Sequence, residues 1–350
     1  MTGPGAPLRP PGPAELAGDL PALPGDLTRV EATLRESVQT PDPFLAEVAT
    51  HLIGAGGKRL RPTLTLCSAY ASTAGASSPL ARGANEPATD DALTGAVACE
   101  LVHLGSLYHD DVIDEAETRR GVPSVNARWS NIVAILAGDF LLARASSLAA
   151  SLGADVASLL AATIGELCRG QVLELQHLFD VDRSEEDYAS AIEGKTAALF
   201  ATSCRIGGMV SGVGDATLDA LTRFGRHLGM CFQIVDDVLD LSSTDDALGK
   251  HAGQDLLEGI YTLPVIQALR ESGALRELLG GPLDTEQLEA ARALALAPLA
   301  TGSTAVEVAL GVARDHAVKA RDALDGADDL DGDVCRTLGR LVDGLVHRER

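Results

Sequence analysis

Three aspartates sit at the end of an apolar segment in HDDVIDEAETRRG, residues 109–121, and three more in MCFQIVDDVLDL, residues 230–241. The first set is Asp110, Asp111 and Asp114; the second is Asp236, Asp237 and Asp240. Residues four apart on a helix share a face, so Asp110 and Asp114 project together. A helix C-terminus already carries partial negative charge, so carboxylates gathered there repel unless a cation sits among them. Magnesium suits such a place: it takes a few carboxylate oxygens, keeps several waters and shares other positions with a substrate phosphate. One such motif is equally what a solvated acidic helix end looks like. Two near-copies in like settings predict two carboxylate tripods facing each other across an anionic ligand.

The basic residues fit the same chemistry. The chain has 28 Lys and Arg, of which only Lys58, Lys195, Lys250 and Lys319 are lysine. A position that stays Lys in so Arg-rich a chain points to a need for a compact ammonium rather than a planar fork. Lys58 and Arg61 belong to GGKRLRP at the start of a helix, where backbone N–H groups favour an anion. The surrounding residues do not make a Walker A loop, since Leu52 and Arg59 stand where Gly and Ser or Thr are needed. Arg119 and Arg120 follow the first aspartates, Lys195 and Thr196 lie within a helical segment, and Lys250 follows the second aspartates. Together these suit two diphosphate sites, one bridged through metal and one held directly by Lys and Arg.

Helices must position these groups. Apolar residues recur at three- and four-residue spacings almost throughout, and alternating β-branched runs are nearly absent. The pattern predicts helices near 27–39, 43–54, 60–74, 90–114, 131–151, 153–179, 185–210, 215–241, 262–272, 285–297, 302–324 and 331–347, with loops at 75–90, 115–126 and 242–259. Residues 1–25, rich in Pro, Gly and Ala, read as a disordered tail. The remainder, 26–350, reads as one all-α domain, a helical bundle around a central cavity. The helix ending at the first aspartates is apolar nearly all round, which marks it as central.

Composition narrows the function classes. The net charge of −22 leaves no basic stripe for nucleic acid. No unbroken run of eighteen apolar residues appears, and the N-terminus lacks the pattern of a secretion signal, so no stable membrane anchor is expected. Six scattered cysteines suit reduced thiols, and a cytoplasmic protein is expected.

The ordered set GGKRLRP, HLGSLYHDDVIDEAETRRG, VNARWSNIVAILAGDFLLARA, EGKTAALF and FQIVDDVLD with LGKHAGQDL resembles the trans-type isoprenyl diphosphate synthases, also called polyprenyl synthetases. The likeness runs from about residue 43 to 265. It implies an isoprenoid synthase-like fold and head-to-tail condensation of isopentenyl diphosphate with an allylic prenyl diphosphate, usually by a homodimer. It also implies two or three magnesium ions, with Asp110, Asp114 and Asp236 as ligands and Asp111, Asp237, Asp240 and Lys195 completing the catalytic set. Lys58, Arg61, His103 and Arg120 would hold isopentenyl diphosphate; Arg119, Lys195, Thr196, Gln233 and Lys250 would hold the allylic diphosphate. One departure is Ile260 in EGIYTLP, where the family often has Lys.

Product length follows from where an apolar tail can run. Back along the helix from Asp110 lie Ser106, Val102 and Ala98, with Gly105 alongside, and none carries a ring. In the family a large aromatic four or five residues before the first aspartate shortens the product. Its absence favours hexaprenyl to decaprenyl diphosphate over farnesyl, with geranylgeranyl diphosphate as the alternative. A rival reading of another class is a di-metal carboxylate bundle, because Glu100/His103 and Glu174/His177 both spell Glu-x-x-His. A non-catalytic subunit would not need both aspartate motifs, and a terpene cyclase would not need a second diphosphate site.

Overall fold

A computed structural model describes residues 19–70, 83, 85–243 and 252–346. It is helical almost throughout, as the spacing predicts. In chain order the elements are α1 (Leu23–Ser37), α2 (Pro43–Gly54), α3 (Leu60–Ala69), α4 (Asp90–Ile113), β1 (Thr118–Arg119), β2 (Val122–Pro123), α5 (Val125–Arg128), α6 (Asn131–Ser151), α7 (Ala154–Gln176) and α8 (Glu185–Ile192). A single π-helical turn, Glu193–Ala197, joins α8 to α9 (Ala198–Ser211). Then come α10 (Asp215–Ser242), α11 (Gln254–Leu257), α12 (Leu263–Leu269), α13 (Gly273–Leu278), α14 (Thr285–Ala295), α15 (Ala305–Leu324) and α16 (Gly332–Val346).

α4 is the central post. Thr89 caps its N-terminus by accepting from the Ala92 N–H at 3.2 Å. Its middle turns are enclosed on every face: Ala96, Val97, Ala98, Cys99, Leu101 and Val102 have no exposure. A helix closed off all round needs partners all round, and α1, α3, α6 and α9 supply them. α10, the second aspartate-bearing helix, packs between α9 and α15. Gly229 allows it to approach the π turn: a Cβ there would lie 2.6 Å from Ala197 Cα.

Several boundaries differ from those the sequence predicts. Of the expected tail, residues 1–18 lie outside the described residues, but residues 20–25 belong to the fold, because α1 begins at Leu23 and Leu20 and Leu23 are fully buried. Two apolar anchors in a Pro- and Gly-rich setting are enough to seat that stretch on the core. The expected loop 115–126 contains a small hairpin, β1 to β2, turning through Arg120 and Gly121 at φ 55° and 76°. Positive φ at both central residues matches the twist of an antiparallel pair. The expected helix 185–210 is broken by the π turn, and the expected loop 242–259 carries α11. Helices α6 and α7, of 21 and 23 residues, are long and apolar enough to cross a membrane by length and composition, although no eighteen-residue run is unbroken. Only a minority of their residues is buried within this chain.

Candidate active site

The C-terminal ends of α4 and α10 meet at one cavity of about 1170 Å³. Asp110 and Asp114 line it from α4, Asp236 and Asp237 from α10. Arg61, His103, Arg119, Arg120, Lys195, Thr196 and Gln233 line it as well. A smaller cavity of about 390 Å³ shares Arg61, His103, Arg120 and Phe232 with it and adds Lys58. The structure thus gathers every residue expected to hold a diphosphate except Lys250, which lies outside the described residues.

The six aspartates divide into two kinds. Asp111 is fully buried and accepts from Arg119 Nε at 2.6 Å, which ties α4 to the hairpin. Asp240 is buried, and its side chain accepts from the Asp255 N–H at 3.2 Å. Asp237 is buried too, accepting from Tyr188 OH at 2.6 Å and from Gln233 Nε2 at 2.7 Å. Thr196 in turn donates to Gln233 Oε1 at 2.7 Å, so one chain of hydrogen bonds runs from the π turn to α10. Asp111 and Asp240 stay off the wall of the cavity, whereas Asp110, Asp114, Asp236 and Asp237 stand on it.

Burial raises several of the wall carboxyls, Asp110 among them. It pushes the Asp110 carboxyl up to about 6; Lys195 opposes that and Asp114 reinforces it. Asp114 and Asp237 are raised in the same way. Burial alone would lower the Lys195 ammonium, but Glu174, which pairs with it, and Asp110 together raise it. On the basic side, burial lowers Arg61 to about 10, still charged at neutral pH. Burial, with Arg61 and Arg120 nearby, holds His103 well below the ordinary imidazole value, so it is neutral.

The donor set suits a hard divalent ion. Among the described residues no three His, Cys, Asp or Glu side chains converge into a metal cage of their own. Asp110, Asp114 and Asp236 instead offer oxygens on the cavity wall, the hard donors that a divalent cation takes together with water and phosphate oxygens. A cation beside Asp110 would also relieve the desolvation that raises its carboxyl.

Some expectations are corrected. Val102 is fully buried and lines neither cavity. Steps of four residues drift about 40° per turn on a 3.6-residue helix, so Val102 and Ala98 rotate away from the face of Asp110. Gly105 faces α6 instead: a Cβ there would lie 3.1 Å from Gly138 O. Ser106 does line the cavity, with Leu107, Ile192 and Phe232. Tyr108 points the other way, its hydroxyl donating to Val48 O at 2.8 Å. Arg59 faces inward to pair with Glu31 and, at 2.8 Å, with Glu100. The two Glu-x-x-His pairs do not assemble: Glu100 binds Arg59, Glu174 binds Lys195, and His177 pairs with Asp180 at 2.7 Å.

Sequence reasoning missed Arg183 and Tyr188 and read Glu174 only as half of a Glu-x-x-His pair; all three stand on the cavity wall. Arg183 stands in the polar run DVDRSEED, which looks like a solvated loop, and nothing in that pattern marks its burial. Lys195 owes its place to a close crossing. A Cβ on Gly170 of α7 would fall 2.3 Å from Lys195 N, and one on Gly194 would fall 2.8 Å from Glu166 O.

Comparisons with known proteins agree with this geometry. Residues 42–295 match the polyprenyl synthetase family. A nonaprenyl diphosphate synthase of Mycobacterium tuberculosis is 40% identical over 331 residues, 93% of this chain and 93% of its own. The crystal structure of a decaprenyl diphosphate synthase from Rhodobacter capsulatus superposes with a TM-score of 0.83 at 34% identity, covering 96% of this chain and 99% of that one. A geranylgeranyl pyrophosphate synthase from Corynebacterium glutamicum, solved with calcium and isoprenyl diphosphate, gives a TM-score of 0.75 at 36% identity, over 93% and 95% of the two chains. With its two aspartate-bearing helix ends, its basic pocket and these relatives, the chain belongs to the polyprenyl synthetase family.

Proposed function

We propose that this chain condenses isopentenyl diphosphate head-to-tail with an allylic prenyl diphosphate and repeats the step to a hexaprenyl to decaprenyl product. The observation that carries this reading is the single cavity lined by Asp110 and Asp114 on one side, Asp236 on the other, and Arg61, Arg119, Arg120 and Lys195 between sequence-distant elements. Such a wall serves two diphosphates of opposite fate, one that leaves and one that stays.

Lys195, Arg119, Thr196 and Gln233 orient the allylic diphosphate, and Lys250 belongs to the same set by resemblance. Asp110, Asp114 and Asp236 would hold two or three magnesium ions, which would supply Lewis-acid neutralisation of the departing diphosphate. Lys58, Arg61 and Arg120 hold isopentenyl diphosphate from the smaller cavity, and neutral His103 donates or accepts one hydrogen bond without adding charge. The allylic C–O bond breaks, the isopentenyl double bond supplies the electrons of the new C–C bond, and the departing diphosphate takes the proton that is lost. Leu107, Ile192 and Phe232 keep water from the reacting carbons.

Product length rests on the wall beside Ser106. No ring projects from positions 105 or 106, and Phe232, an aromatic on the same wall, is shared with the smaller cavity and so stands between the two substrates. The long-chain relatives support the same reading. A second copy of this chain is the partner, since the adjoining helices α6 and α7 expose Ile132, Ile135, Leu136, Val172 and Leu175. The six cysteines form no disulfide with one another, which supports a reducing, cytoplasmic setting.

The test is direct. Purified protein with magnesium, isopentenyl diphosphate and geranyl, farnesyl or geranylgeranyl diphosphate should give hexaprenyl to decaprenyl products by mass. Chelation should stop turnover. Ser106→Phe should shorten the main product while turnover stays measurable. No product from any primer would end the reading; an unchanged length in Ser106→Phe would place the path of the apolar tail elsewhere.

A further inference from the structure

Arg183 is a guanidinium that the mechanism above leaves without work. It sits just before α8, is 4% exposed, and lines the larger cavity. Its Nη1 donates to Tyr261 O at 3.1 Å. Its Nε and Nη2 are buried and have no hydrogen-bond partner among the described residues. Its guanidinium lies 5.6 Å from the ring centroid of Tyr188, whose hydroxyl holds Asp237. Burying a cation with open donors is costly unless an anion completes it. No carboxylate among the described residues makes an ion pair with Arg183, although Glu174, Tyr188, Asp237 and Asp187 surround it.

We propose that Arg183 is a further substrate-binding residue, which donates from its open nitrogens to a phosphate oxygen of the allylic diphosphate. The inference rests on the prenyl-transfer reading of the cavity. Its position favours the allylic partner over the isopentenyl one. Arg183 adjoins Glu174, the ion-pair partner of Lys195, and Tyr188, the donor to Asp237. It is absent from the smaller cavity that holds Lys58. Arg is also the side chain whose fork suits phosphate best, and one end of this fork is already fixed on the backbone at Tyr261. The neighbouring Ile260, on the same wall, brings no charge, so among the described residues Arg183 is the cation of that corner.

Steady-state kinetics with farnesyl or geranylgeranyl diphosphate and isopentenyl diphosphate separate this role from a structural one. Arg183→Gln should raise the KM for the allylic substrate by about tenfold to a hundredfold, the worth of one hydrogen bond to a charged group, with the KM for isopentenyl diphosphate nearly unchanged. Adding Ile260→Lys places an ammonium in the same corner and should recover about tenfold of that loss, whereas Ile260→Lys alone should improve allylic KM by less than about threefold. Equal changes in both KM values, or no change in either, would overturn the proposal. If Arg183→Gln does not fold, as judged by its thermal transition, Ile260→Lys in the native background decides: a gain of about tenfold in allylic affinity would show that the corner lacked a cation and would overturn it. A native protein inactive with every primer would instead sink the prenyl-transfer reading itself.

Discussion

At the residue scale the first aspartate, Asp110, carries one pH dependence of metal binding. Proton and divalent cation compete for its oxygens. With the carboxyl at about 6, roughly a tenth is ionised at pH 5 and about nine-tenths at pH 7, so magnesium should bind about tenfold more weakly at pH 5. Calorimetric titration of the metal across that range checks it, and an affinity flat from pH 7 to 5 would remove Asp110 from the ligand set. Stability runs the opposite way. The folded value lies above the ordinary 3.8, so this group's contribution is fully present below pH 3.8 and is lost as pH rises through about 6. Asp110→Asn should therefore raise the melting temperature of the metal-free protein at pH 8, by at most about 3 kcal/mol of stability, and should suppress turnover. The identities of such wall residues were legible because the chemistry forces unusual residue types: clustered Asp, and Lys where Arg is the habit. Arg183 was illegible for the converse reason, since an Arg in an acidic run is ordinary until folding buries it.

At the element scale the helices were readable and their defects were not. Periodicity marks α4 and α10 because each has an apolar face closed by aspartates, and it marks α8 and α9 as one helix because a π turn leaves the spacing almost intact. Yet that turn carries Lys195 and Thr196. An extra residue in a helical turn re-aims the side chains that follow and is common at functional sites. Its cause lies in tertiary contact, where Gly170 and Gly194 let α7 and the turn touch backbone to backbone. Gly170→Ala should force the two apart. The clash is with Lys195 N and Ala191 O, neither of which can swing aside as a side chain could. We expect a loss of roughly 1–3 kcal/mol of stability, the usual cost of overpacking, and a fall in kcat/KM for the allylic substrate larger than for isopentenyl diphosphate. Equal stability and kinetics in Gly170→Ala would mean that the crossing does not place Lys195.

At the scale of the whole molecule, the all-α class and the central place of α4 follow from the sequence, because a helix apolar on every side has nowhere else to go. What the pattern could not separate is a helix covered within its own chain from one left to another. α6 is as apolar as α4, yet Ile132 and Leu136 are 70% and 61% exposed, and α7 adds Val172 and Leu175. An apolar face of this kind on adjoining helices is unusual on a lone soluble surface and is typical of an interface. A two-fold pair would bury the same face on both copies. Leu136→Glu tests it. The residue touches solvent in the single chain, so the change should leave the fold and its melting transition near those of the native protein when both are monomeric. Two glutamates brought together at a two-fold interface would be desolvated without partners, which should weaken association by several kcal/mol. Light scattering at micromolar concentration should then show the native protein at about twice the 36.2 kDa chain mass and the variant at the chain mass. A native protein that runs as a single chain, or a variant that still pairs, would leave this face to some other partner.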